Sequence, residues 1–307
     1  LNAFLRSLIR GLDRIPLVMV EGMSAYALLR FFWRAVSEGR VSIRASSIAF
    51  SFFLALFPGV LFLFTLIPYI PIQGFQSELF SLLEDVLPPT SFQAVESTLH
   101  DIVLNKDFSL LSFGFVAALL FATNGTHSLL VNFGQTVYRP ETISFWKQYF
   151  RALLLTFVFT AVFLITIAGL LLTRSVTEYL IELGYLSRRI GQFIQASRGI
   201  VLTSSILLSI GGLFYFSPLR NKQWGYFSVG ALLSTLLVVL LSQVFGYYVR
   251  NFAQYNQLYG SIGTLMILLL WIYLNAFVLI IGFELNTSAA ALKRTQDAVD
   301  KPHRTAE

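Results

Sequence analysis

The chain has 307 residues, of which 56% are hydrophobic and 12% charged, with a mean hydropathy of +0.70. A soluble domain carries about a quarter charged residues to keep its surface wet. Half that share, gathered between long apolar runs, excludes an ordinary soluble globule and points to lipid as the solvent for most of the surface. Cysteine is absent, which excludes disulfides, thiolate metal sites and cysteine nucleophiles. The three histidines, His100, His127 and His303, are too scattered for a histidine-rich metal centre, and no cofactor is expected. The net charge of +6 reads as loop bias toward anionic headgroups, with membrane lipids as partners and no nucleic acid.

Residues 1–45 are expected to form cytoplasmic or interfacial amphipathic helices. The run from Ile15 to Val20 is too short for the core of a secretory signal, and no cleavage site follows it. Further on, Leu28, Leu29, Phe32 and Val36 recur at helical spacing, and Arg30 and Arg34, then Arg40 and Arg44, sit four apart. A basic helix of this kind either lies in the headgroup layer or packs on the cytoplasmic ends of a bundle.

Residues 46–288 are expected to form an all-α bundle of six transmembrane helices, at about 46–70, 108–126, 150–173, 199–216, 224–248 and 261–285. About 20 apolar residues suffice for each crossing. Pro58 predicts a kink in the first span. Ser47, Ser51, Ala55 and Gly59 form a ridge of small side chains on it, and Gly114, Ala118 and Ala122 form another on the second. Such ridges let helices approach closely, and the two are expected to face each other. Between these spans lies an acidic excursion with two short amphipathic helices, Phe75 to Leu87 and Phe92 to Leu104. A loop helix is expected after the third span, from about Val176 to Ile194. Residues 289–307 read as a polar cytoplasmic tail that frays.

Basic residues set the orientation. With the N-terminus in the cytoplasm, the inside segments hold Arg6, Arg10, Arg14, Arg30, Arg34, Arg40, Arg44, Arg139, Lys147, Arg151, Arg220, Lys222, Lys293, Arg294, Lys301 and Arg304. The outside segments hold only Lys106, Arg174, Arg188, Arg189, Arg198 and Arg250. That imbalance follows the positive-inside rule and returns both termini to the cytoplasm.

Polar groups at membrane depth cost several kcal/mol when unpaired, which makes each a candidate for a polar pathway. Glu284 is the sole acid inside an expected span. It either binds a proton or a cationic substrate, pairs with Arg139 or Lys147, or reaches headgroup water. Asn124, His127, Asn132 and Gln135 cluster at the end of the second span. They either relay protons or cap the helix end with their own side chains. Asn275 and Gln243 either line a cavity or hydrogen-bond across helices, and Asn286 follows Glu284 at the same end. Signatures of hydrolases, nucleotide-binding loops, zinc proteases and two-metal nucleases are missing, so no enzyme is expected.

Two stretches resemble the YihY/BrkB family of bacterial inner-membrane proteins. The first is Arg44-Ala-Ser-Ser-Ile-Ala-Phe-Ser-Phe-Phe-Leu-Ala-Leu-Phe-Pro58. The second is Leu258-Tyr-Gly-Ser-Ile-Gly, followed by Leu270-Trp-Ile-Tyr and Gly282-Phe-Glu-Leu-Asn286. Asn132 to Tyr138 echoes a further element. The chain departs from the pattern at Phe50, Ser51 and Phe283. The resemblance implies a six-span bundle with cytoplasmic termini, and members go under the names virulence factor, serum-resistance factor or ribonuclease BN. The last name has no support in these residues, which offer too few histidines and no acidic metal cluster. The expected function is therefore that of a transporter-like or lipid-handling protein of the inner membrane. A structural, envelope-integrity protein is the alternative, and a homo-oligomer is left open.

Overall fold

In a computed structural model, residues 25–69, 101, 106–137, 144–183, 185, 187, 189–191, 194, 197–217, 225–251 and 253–304 are described. The expectations for residues 1–24, for the two short helices between the first two spans and for Arg139 lie outside them. Among the described residues the chain is helical, with no strand. In chain order the helices are α1 (Ala25–Glu38), α2 (Val41–Leu66, extended by a 3-10 turn Ile67–Tyr69), α3 (Phe108–Gly134), α4 (Phe145–Glu182), α5 (Arg198–Tyr215), α6 (Val229–Asn251) and α7 (Ala253–Arg304). The six from α2 to α7 are each long and apolar enough to cross a membrane.

The spans close into a ring. Each packs on its neighbours in sequence, and α7 returns to pack on α2. Inside the ring, Phe133 of α3 stacks on Phe283 of α7 at 4.3 Å between centroids, and Phe214 of α5 meets both rings edge-on. All three are almost wholly buried, together with Ile48, Leu130 and Ile280. In lipid there is no water to drive helices together, so this interlocking of rings and the contacts it makes hold the bundle's centre.

Neighbouring helices are also tied by polar groups. Thr156 of α4 donates to the Thr126 hydroxyl of α3 at 2.9 Å, and Thr166 of α4 donates to Ser205 of α5 at 2.9 Å. At the α6–α7 crossing, a Cβ on Gly230 would collide with the Gly282 carbonyl, and one on Gly282 would collide with the Ser234 hydroxyl. The two backbones touch because neither position carries a side chain.

Three helices run past their expected ends. α3 continues to Gly134 rather than stopping near residue 126, because its polar side chains return to their own helix. Thr126 donates to the Ala122 carbonyl at 3.3 Å, and Asn132 Nδ2 donates to the Ser128 carbonyl at 2.8 Å. α4 runs through Thr173 to Glu182, absorbing the start of the expected loop helix. α7 continues to Arg304, so residues 289–304 extend a helix instead of fraying, and Ala290 and Leu292 on it are buried. The reason is α1. Leu28 packs on Leu292, with Ala27, Phe31, Leu285 and Ala289 around them. Of the two placements open for this amphipathic helix, it takes the one against the bundle.

Candidate functional site

The site begins at a two-residue turn. α1 ends at Glu38 and α2 starts at Val41, so Gly39 and Arg40 alone make the turn between them. Arg40 takes φ 47 and ψ 42, the left-handed region, and it is the one non-glycine residue with positive φ among those described. A Cβ on Gly39 would run into the Ala35 carbonyl, so glycine is required there. The turn aims the Gly39 carbonyl at Arg44, whose Nη1 donates to it at 3.2 Å.

Arg44 is thereby drawn into the bundle, 3% exposed, instead of joining a surface stripe with Arg40. Its Nε donates to the Asn132 carbonyl of α3 at 3.0 Å, and its Nη1 also donates to Glu284 Oε1 of α7 at 2.5 Å. Thr136 donates to the second carboxylate oxygen at 2.9 Å, with the Thr287 hydroxyl 3.1 Å from the same atom. Glu284 is fully buried. Among the described residues its partner is thus Arg44; of the two cations offered as pairing alternatives, Arg139 lies outside the described residues. Lys147 lies exposed on α4. A buried pair of this kind roughly breaks even against apolar replacement, but an orphaned partner costs about 3–5 kcal/mol.

Beside the ion pair, α2 and α3 border a groove of about 600 Å³. α2 contributes Ile43, Arg44, Ser47, Phe50, Ser51 and Leu54; α3 contributes Phe121, Asn124, His127, Ser128, Val131 and Asn132, and its C-cap Gln135 completes the lining. Phe50 is 60% exposed, so the groove opens sideways on the outer surface of the ring, where lipid lies. From Arg44 to Leu54 it spans ten residues of helix, about 15 Å at 1.5 Å per residue. That is about half of the ~30 Å hydrocarbon layer, the depth of one leaflet. One end of the groove is polar and the other is apolar. His127 is held by aromatic contacts to Phe145 and Tyr149 of α4, at 5.2 and 5.7 Å between centroids. Two buried nitrogens at the groove, Arg44 Nη2 and His127 Nε2, have no hydrogen-bond partner among the described residues. Phe50 and Ser51, two of the three departures from the family pattern, both line it.

The other expected pathway residues divide. Asn124, His127 and Asn132 share the groove, and Glu284 lies behind it. Asn286 does not belong to it. Its Oδ1 accepts from the Gly230 N–H at 2.8 Å and its Nδ2 donates to the Ser228 hydroxyl at 2.8 Å, so it caps the start of α6 from a neighbouring helix. Asn275 donates to the Trp271 carbonyl of its own helix at 2.8 Å, and Gln243 is exposed on α6. Neither sits at the groove.

The small-residue ridges meet differently from the expectation. α2 and α3 share the most extensive interface in the ring. Gly114 is covered by the Phe62 backbone and Gly125 by the Phe52 ring. Gly59, however, has open space where a Cβ would stand, and Ser47 and Ser51 border the groove. Ala55, Ala118 and Ala122 are half-buried. The ridge is not a continuous seam, because Ser47 and Ser51 line the groove and Gly59 faces open space. Pro58 lies within an unbroken α2, where it removes the N–H that would bond the Leu54 carbonyl.

Arg44 is the candidate-site residue that sequence reasoning misplaced. The available signal was that a lone intramembrane acid requires a cation at equal depth, and Arg44 stands at the mouth of the first span. Among the described residues no three histidine or acidic side chains gather as metal ligands.

The chain is similar in sequence to several known proteins. Over 254 residues the chain is 27% identical to a ribonuclease-like protein, YfkH, of Bacillus subtilis (strain 168), covering 83% of this chain and 92% of the relative. It is 24% identical over 286 residues to a UPF0761 membrane protein of Vibrio campbellii, covering 92% and 88%, and 23% identical over 287 residues to one of Psychromonas ingrahamii, covering 92% and 94%. No solved structure matches. The model of the family described as virulence factor BrkB matches residues 32–307, and this chain is therefore a multi-pass membrane protein belonging to the BrkB family.

Proposed function

We propose that the protein is a transporter-like, lipid-handling protein of the bacterial inner membrane, with both termini in the cytoplasm, working without enzymatic chemistry. The observation that carries this reading is the sideways groove between α2 and α3, polar at the Arg44 end and apolar at the Leu54 end. A pocket within about 300–1,000 Å³ is of ligand size. One that opens to lipid and changes polarity along a single leaflet suits an amphiphile better than a water-soluble solute. The packed Phe133–Phe214–Phe283 centre supports a route along the flank of the ring rather than through it. The orientation rests on the excess of basic residues in the segments assigned to the inside.

The test is lipid translocation in proteoliposomes carrying a fluorescent phospholipid, read by quenching of the outer leaflet. Wild-type protein is expected to speed exchange between leaflets, and Ser51→Trp, which fills the groove, to return it to the rate of protein-free vesicles. Exchange no faster than in empty vesicles, or undiminished by Ser51→Trp, sinks the reading. That first outcome favours the second reading, an envelope-integrity protein without transport, for which the packed aromatic centre is the supporting observation.

A further inference from the structure

Arg44 carries five N–H donors, and its environment uses only those on Nε and Nη1. The Nη2 donors are buried at the edge of the groove without a partner among the described residues, as is Nε2 of His127 on the facing helix. Buried donors of this kind are normally satisfied, and a pair that lines one cavity marks a place where an acceptor belongs. No carboxylate lines the groove; Glu284 lies behind Arg44, its two oxygens engaged by Arg44 Nη1 and by the Thr136 hydroxyl. Ser51 and Asn124 add further polar groups, while Leu54 and Phe121 form the apolar end.

We infer that the polar end of this groove is a binding site for the phosphate of a phospholipid headgroup, held by Arg44 Nη2 and His127 Nε2 with the acyl chains along Leu54 and Phe121. The inference rests on the lipid-handling reading and adds the chemical class of ligand to it. Guanidinium presents planar donors that match phosphate oxygens, and the ion pair with Glu284 fixes the orientation of that plane. Neutral imidazole with its proton on Nε2 supplies the second donor. The apolar end favours a phosphate carried by a lipid over free phosphate, although both present the same oxygens.

The experiment is native mass spectrometry of the purified full chain, titrated with phosphatidylglycerol or with a glucosyl diacylglycerol of the same acyl chains, which lacks phosphate. Wild-type protein is expected to retain phosphatidylglycerol about tenfold more tightly, the worth of one charge-assisted hydrogen bond. His127→Ala is expected to reduce the preference several-fold. Arg44→Gln alone strands Glu284, so the double variant Arg44→Gln with Glu284→Gln tests the guanidinium while leaving no buried charge, and it should abolish the preference. Equal retention of both lipids by wild type, or a preference intact in both variants, overturns the phosphate site while leaving lipid binding in place. Retention of neither lipid overturns the lipid-handling reading itself. Displacement of phosphatidylglycerol by millimolar inorganic phosphate would assign the site to free phosphate and overturn the lipid assignment.

Discussion

Arg44 and Glu284 stand 240 residues apart in the chain and one hydrogen bond apart in space, where the first span of the ring meets the last. Removing either partner leaves a charge buried beside half a network. Arg44→Met or Glu284→Leu should each lower stability by about 3–5 kcal/mol, whereas the double replacement should recover most of that loss. Denaturant unfolding in detergent micelles reads all three. Single losses that simply add in the double variant would mean the two side chains do not depend on each other.

The α6–α7 crossing gives a second expectation. Gly230→Ala places a methyl group against the Gly282 carbonyl and the Asn286 side chain, so the helices must move apart. Overpacking of this kind costs about 1–3 kcal/mol. Asn286→Ala, which only uncaps α6, should cost about 0.5–2 kcal/mol. Thermal unfolding by circular dichroism measures both, and a Gly230→Ala protein as stable as wild type would contradict the close crossing.

The aromatic centre can be tested against the lipid face. Phe→Ala costs about 3–5 kcal/mol in a soluble core, but lipid tails are as apolar as a core, so only the packing part survives here, ~2 kcal/mol for Phe133→Ala. Phe50→Ala, at an exposed position, should stay within about 0.5 kcal/mol. Equal effects of the two substitutions would show that the ring centre is not the packed element.

Orientation is accessible because the chain has no cysteine of its own. A single cysteine at exposed Lys106 should react with an impermeant maleimide added to spheroplasts, and one at exposed Lys147 only after permeabilisation. The reverse pattern would invert the topology.

The six spans were legible because about 20 apolar residues in a row have few other uses. Glu284 was legible as a site for the same reason, since a lone acid in such a run must be compensated. Its partner was not. Arg44 follows Arg40 by four residues as Arg34 follows Arg30, and only the left-handed turn at Arg40 breaks that resemblance and points Arg44 inward. Asn286 was grouped with Glu284 because they lie two positions apart in sequence, yet two positions are about 200° around a helix. It faces α6 while Glu284 faces α2. The last two turns of α3 were hidden because Asn, Ser and His look like a helix end until their hydrogen bonds to the same helix are known.

Closure of the ring by its last member has a consequence for biosynthesis. Ribosomes add about 5–20 residues per second, so the 240 residues between Arg44 and Glu284 correspond to roughly 10–50 seconds of elongation. Throughout that interval the nascent chain holds a guanidinium whose counter-ion has not been synthesised. A polypeptide released before α7 is complete keeps that uncompensated cation and an open ring.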